Sequence, residues 1–168
     1  MENLESRNVT VKTGEVSPGD VAAVIASNRE LKPQPFGMLW GYHLPNGKLL
    51  FNARSETAAQ KSIFADGMEH RRCAIPAAHY FEWQKTETGK TKYAIAPKES
   101  KGMLLAGIYR FEGNRPVFTI LTRQGYAPLQ LHARICHRLG NHLLGCRCIY
   151  APRDDDAECF LRDTRRRI

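Results

Sequence analysis

Between Val21 and Thr122 the chain is a train of short apolar segments, each of strand length and each closed by a turn signal, and that cadence constrains the fold more than any other feature. Val21 to Ala26 is an uninterrupted apolar run that follows the turn Ser17-Pro18-Gly19-Asp20. Phe36 to Tyr42 is rich in aromatics and carries Gly37 and Gly41, which suits a strand whose backbone is closely approached. Pro45-Asn46-Gly47 then turns the chain into Lys48 to Phe51. Further strands are expected over Arg72 to Ile75, Tyr80 to Gln84, Lys92 to Ala96, Leu104 to Arg110 and Val117 to Thr122. Leu31 to Pro35 reads as a loop, because its prolines cannot sit inside a ladder. Helical character is confined to Glu56 through Phe64, with Ser55 as its cap and Asp66-Gly67 as its end. Short strands at such regular spacing predict an α+β fold, a single domain built on a mainly antiparallel, barrel-like β-sheet with a few short helices.

A chain of 168 residues, 42% of them hydrophobic, suits one core. Residues 1–15 are polar and are expected to be a mobile N-terminal segment, ahead of a folded body over 16–134. Beyond it, residues 135–168 show neither helical nor strand periodicity, and they can belong to the same domain. No apolar span reaches membrane length, and Met1-Glu2-Asn3-Leu4-Glu5 lacks the basic and apolar regions of a signal peptide. The cytoplasm is therefore the expected location, with no membrane partner. Five cysteines in such a chain point to reduced thiols rather than a disulfide framework. The net charge of +8 and a pI near 9.4 favour polyanionic partners, nucleic acid foremost, over a merely soluble basic protein only when residues with matching chemistry are present.

Several residues have that chemistry. Glu82 lies between Phe81 and Trp83 on an expected strand, so it either points to water or occupies a pocket while the aromatics pack on the core. In the pocket it would be a usable general acid or base. Asn52 and Arg54 are one residue apart and share a face, just ahead of a helix start where a guanidinium and free N–H groups suit a phosphate. The plainer alternative is a turn-forming Asn and a surface Arg. His132 and Arg134 repeat the spacing. Trp40 is either core or a stacking platform for an unpaired base. His132, Cys136, His137, His142, Cys146 and Cys148 invite a zinc reading, but Cys-x-Cys and His-x4-His miss the usual paired spacing, and no metal or other cofactor is expected.

Taken in order, these pieces resemble the SRAP (SOS response-associated peptidase) family of abasic-site processing proteins. The resemblance rests on Ser17 to Asp20 (SPGD), Met38 to Gly41 (MLWG), Asn52 to Thr57 (NARSET), Arg71 to Pro76 (RRCAIP), Tyr80 to Trp83 (YFEW), Leu105 to Tyr109 (LAGIY), Phe118 to Thr122 (FTILT) and Leu131 to Arg134 (LHAR). It implies a cytoplasmic, nucleoid-associated monomer that binds single-stranded DNA and reacts with abasic-site aldehydes. By motif position, Asn52, Glu82 and His132 would be catalytic, and Trp40, Arg54 and Arg134 would hold DNA.

The resemblance also implies a thiazolidine crosslink made by an N-terminal cysteine, and here the sequence departs from it. Position 2 is Glu2, and the family's opening Cys-Gly-Arg is absent. A thiazolidine needs an amine and a thiol on adjacent carbons, so no internal cysteine substitutes and crosslinking is expected to be impaired. Residues 135–168 diverge as well, since the family continues Met-Pro where this chain has Ile135-Cys136. Such ends suit a displaced start with a late frameshift, or a decayed paralogue; an in-frame Met-Cys-Gly-Arg upstream would identify the former. Two other readings stand beside this one, a noncatalytic single-strand binding module and, last, a peptidase.

Overall fold

A computed structural model describes residues 10–87, 89–97, 100–124, 146–148 and 150–151. Five strands close on one another: β1 (Val21–Ser27) pairs with β2 (Pro33–Trp40) and with β6 (Arg72–Ala77), β6 with β9 (Met103–Glu112), β9 with β10 (Arg115–Gln124), and β10 with β2. All of these pairs are antiparallel except β10 with β2. That exception follows from parity: each antiparallel step reverses the direction, so a ring of five strands returns to its start only if one step is parallel. The expected antiparallel barrel is thus present, with one parallel seam.

The inward residues alternate along each strand. Ala22, Val24, Ala26, Phe36, Met38, Cys73, Ile75, Leu105, Tyr109, Phe118 and Ile120 form the interior cluster. A five-strand barrel is narrow, and small residues keep it from overfilling. Gly107 is the tightest of them: a Cβ there would lie 2.6 Å from Ile75 Cδ1, 2.9 Å from the Thr119 carbonyl oxygen and 3.2 Å from Cys73 Sγ. Burial holds the Cys73 thiol above its ordinary range, so this cysteine is a packing group. Burial likewise pushes the Tyr109 hydroxyl up to about 12.

A second core covers the outer face of β9 and β10. Ala106, Ile108, Val117 and Leu121 meet Tyr42, Ala53, Ala58 and Phe64 there. The helical layer is two short pieces, α1 (Ser55–Ala58) and α2 (Ser62–His70), rather than the one expected segment. Helix α2 runs through Asp66-Gly67, where a stop was expected. Gly67 is there for contact, since its Cβ would come within 3.1 Å of Ile108 Cβ and 3.4 Å of the Tyr42 hydroxyl. Nor does Ser55 cap α1; the residue preceding the helix is Arg54, with no side-chain cap.

The expected loop at Leu31 to Pro35 is also corrected. Pro33 and Pro35 lie in β2, opposite Ser27 and Ile25. Among the described residues β2 meets β10 only at Leu39 and Trp40, so its first half is an edge. Two prolines two residues apart turn their missing N–H groups to that same open edge, where no ladder bond is lost. The remaining strands sit around the barrel: the hairpin of β3 (Tyr42–His43) and β4 (Leu49–Leu50), the short β5 (Asn52–Arg54), the separate two-stranded sheet of β7 (Tyr80–Thr86) and β8 (Gly89–Ile95), and β11 (Cys146–Cys148) and β12 (Tyr150–Ala151), which extend the sheet beside β10 and β9.

Candidate functional site

The parallel seam places the candidate residues. Along one edge of β10, β2 supplies Leu39 opposite Val117 and Trp40 opposite Phe118, and β5 then takes over with Asn52 opposite Ile120 and Arg54 opposite Thr122. Residues 41–51 leave the seam and come back to it. Trp40 and Asn52, twelve positions apart in sequence, therefore become near neighbours along β10. Leu39 packs with the outer core, as buried Ala53 does, whereas Trp40 packs against the interior cluster. Alternation puts Trp40, Asn52 and Arg54 on one face.

Local chemistry explains how Trp40 is held. One face of its ring stacks on Phe118 at 6.2 Å with planes 12° apart, and the Phe51 ring meets it edge-on at 6.3 Å. Its indole N–H donates to the Phe51 carbonyl at 2.8 Å, and the Ile120 N–H donates to the same carbonyl at 3.1 Å. Below it, Ser17-Pro18-Gly19-Asp20 forms a tight turn closed by Asp20 N–H to Ser17 O at 3.0 Å, with Gly19 at φ +94°. Gly19 N–H donates to Trp40 O and Trp40 N–H to Asp20 O. The Lys12 ammonium and the Ser17 N–H hold the Asp20 carboxyl below its usual range. Gly41, at φ +124°, lets the chain turn off the seam while Leu49 packs against it. Trp40 is half-buried, so it is both a packing group and a rim residue.

Asn52 and Arg54 are exposed on either side of buried Ala53. Glu82 reaches the same end of the barrel by another route. Ala77, the last residue of β6, pairs with Met103, the first of β9, and β10 runs antiparallel to β9. The exit from β6 into β7 therefore lies toward the end of the barrel where β10 finishes. Tyr80 packs against the interior cluster, and Glu82, two residues on, shares its face and is half-buried opposite Tyr93.

The sequence alternatives for Glu82 were water, or a pocket with its aromatic neighbours in the core. The second does not describe the hairpin, because Trp83 is 58% exposed and Phe81 sits with it on the face opposite Glu82, against His79 and Lys92. Exposed aromatics at this end, Trp83 and Phe51 (42% exposed), were not singled out from sequence. Strand alternation about Glu82 was the available signal for Trp83. His132 and Arg134 lie outside the described residues, as do the other members of the His/Cys cluster except Cys146 and Cys148.

The class so defined is a small five-strand barrel that carries an indole, an amide and a guanidinium on one face of its parallel seam. Residues 3–144 match the family model described as SOS response associated peptidase (SRAP), and the chain belongs to that family. Curated relatives include an abasic site processing protein of Saccharomyces cerevisiae, 35% identical over 51% of this chain and 24% of the relative. Another is the abasic site processing protein YoqW of Bacillus subtilis, 32% identical over 65% of this chain and 53% of the relative. The chain thus spans about half the length of YoqW and a quarter of the yeast protein.

Crystal structures of proteins from Bacteroides thetaiotaomicron (TM-score 0.66, 21% identity, 85% of this chain and 63% of that one) and Bordetella bronchiseptica (TM-score 0.68, 19% identity, 89% and 78%) share the fold. No helix among the described residues is long and apolar enough to cross a membrane.

Proposed function

We propose that this chain processes abasic sites by binding single-stranded DNA at the mouth of the barrel and reacting with the aldehyde of the ring-opened sugar. The observation that carries the reading is the seam, which lines up Trp40, Asn52 and Arg54 on one face at the end where the Glu82 hairpin leaves the barrel. Membership of the SRAP family and the names of the curated relatives support the same chemistry.

Each residue has a part that suits its chemistry. Arg54 pairs with a phosphate, while Trp40 and the exposed Trp83 offer ring faces to unpaired bases. Asn52 holds the opened sugar by hydrogen bonds. Glu82 moves protons, first taking one from the sugar hydroxyl during ring opening and then giving one to the departing oxygen as the imine forms. His132 and Arg134 belong to the same proposal as a catalytic group and a phosphate contact. The covalent step is condensation of a primary amine of the protein with the aldehyde, which forms a C=N bond and releases water. No cofactor takes part, and the working unit is a monomer in the cytoplasm.

The test is incubation with single-stranded DNA bearing an abasic site, with and without borohydride. Trapping only with borohydride is the expected result. An adduct that survives denaturing gels without borohydride would show thiazolidine-type chemistry instead, and binding without any trapping would favour a passive single-strand module. Glu82→Gln should slow trapping while leaving affinity nearly unchanged; equal loss of both would make Glu82 structural.

A further inference from the structure

The strand pair that carries Glu82 has little backbone connection to the barrel. Among the described residues, β7 and β8 pair only with each other, and a two-stranded hairpin alone is marginal in water. Something must order it if Glu82 is to keep one position.

On one face, Tyr80 packs against the interior cluster. On the other face lies the ammonium group of Lys92. It stands 3.7 Å from the centroid of the Phe81 ring and 5.9 Å from that of Trp83. The same nitrogen donates to Glu15 Oε1 at 2.5 Å. Glu15 is held in turn by its neighbours: Val16 packs against the barrel interior, Ser17 belongs to the turn closed by Asp20, and Lys12 N–H donates to Val21 O at 2.9 Å. Residues 12–20 thus run from the start of β1 to the hairpin, and Lys92 is where the two meet.

We propose that Lys92 is a positioning residue for Glu82, clasping the hairpin to the segment before β1 through Glu15 and across the faces of Phe81 and Trp83. The assignment rests on the catalytic reading of Glu82 given above. Lys92 pairs with Trp83, so it stands on the face opposite Glu82 and acts through the hairpin, not on the sugar. An ammonium that meets a carboxylate and an aromatic face together is worth more than either contact alone.

The experiment compares wild type with Lys92→Met, Lys92→Arg and Glu15→Gln. Amide hydrogen exchange at Glu82 and Tyr93 is read on the free protein, and trapping rate and affinity are read on abasic single-stranded DNA. Lys92→Met should speed exchange at both amides and slow trapping by about 3- to 10-fold, with the melting temperature of the barrel unchanged. Lys92→Arg should restore both readings, and Glu15→Gln should reproduce part of the loss.

Unchanged exchange in Lys92→Met overturns the proposal. So does lowered affinity with a shallower salt dependence and unaltered exchange, which would make Lys92 a phosphate contact. Exchange on the free protein decides the clasp whether or not wild type reacts; a wild type that never traps abasic DNA defeats the functional reading while accelerated exchange in Lys92→Met still supports the clasp.

Discussion

Gly107→Ala is the sharpest available test of how the barrel is filled. The added Cβ would lie 2.6 Å from Ile75 Cδ1, 2.9 Å from the Thr119 carbonyl oxygen and 3.2 Å from Cys73 Sγ. A methyl at the end of Ile75 can rotate away, but the Thr119 oxygen belongs to β10 and moves only with its strand. Overpacking in a closed core costs about 1–3 kcal/mol, and a blocking backbone atom places this case in the upper half of that range. At roughly 2–4 °C per kcal/mol for a domain of this size, the melting temperature should fall by about 5–10 °C. Circular dichroism melts, with urea midpoints at unchanged m, would measure it.

Ile75→Val alone should cost about 0.5–1.5 kcal/mol. In the Gly107→Ala background it should cost less, because it removes the methyl that the new Cβ meets. The double variant should still melt below wild type, since the Thr119 oxygen stays in place. A Gly107→Ala protein that melts within about 1 °C of wild type would refute the inward placement of residue 107 and the register of Gly107 with Cys73.

Two further outcomes are expected. Arg54→Ala should weaken single-stranded DNA binding and flatten its dependence on log salt by about 0.7 for the lost phosphate contact; an unchanged slope would remove Arg54 from the phosphates. Glu112 should give acid-dependent stability. Burial raises its carboxyl, but hydrogen bonds from Arg110, the His43 N–H and the His43 ring together hold it below its ordinary 4.5. A carboxyl depressed in the folded state contributes stability above its unfolded value and loses it as pH falls through the folded one. Glu112→Gln should therefore melt lower than wild type at neutral pH, with the gap closing as pH drops below about 4.5; a gap that does not depend on pH would refute the assignment.

Strand positions were legible in the sequence because alternation is local: the Val21, Arg72, Tyr80, Leu104 and Val117 segments all recur as strands. Barrel closure was not legible, since the β10–β2 seam joins residues far apart in the chain. Punctuation rules misread Pro33, Pro35 and Gly67 for one shared reason. Each rule assumes that a residue's local cost decides, whereas an open edge excuses the prolines and contact with Ile108 requires the glycine. At the site, the shared face of Asn52 and Arg54 was readable from spacing. The clasp on Lys92 was not, because its partner Glu15 is 77 residues away.

The seam along β10 has one more consequence. Trp40 and Asn52 are each pinned to a fixed address on β10, so the distance between them is set by the rise of that strand and not by the length of chain that links them. Between these two fixed posts Tyr42 is anchored in the outer core and Phe51 is bonded to Trp40 and to β10, which leaves the turn over 44–48 as the slack part of the connection. That turn can be lengthened, shortened or exchanged without changing the spacing of the indole and the amide, and variation can accumulate there while the seam keeps its dimensions.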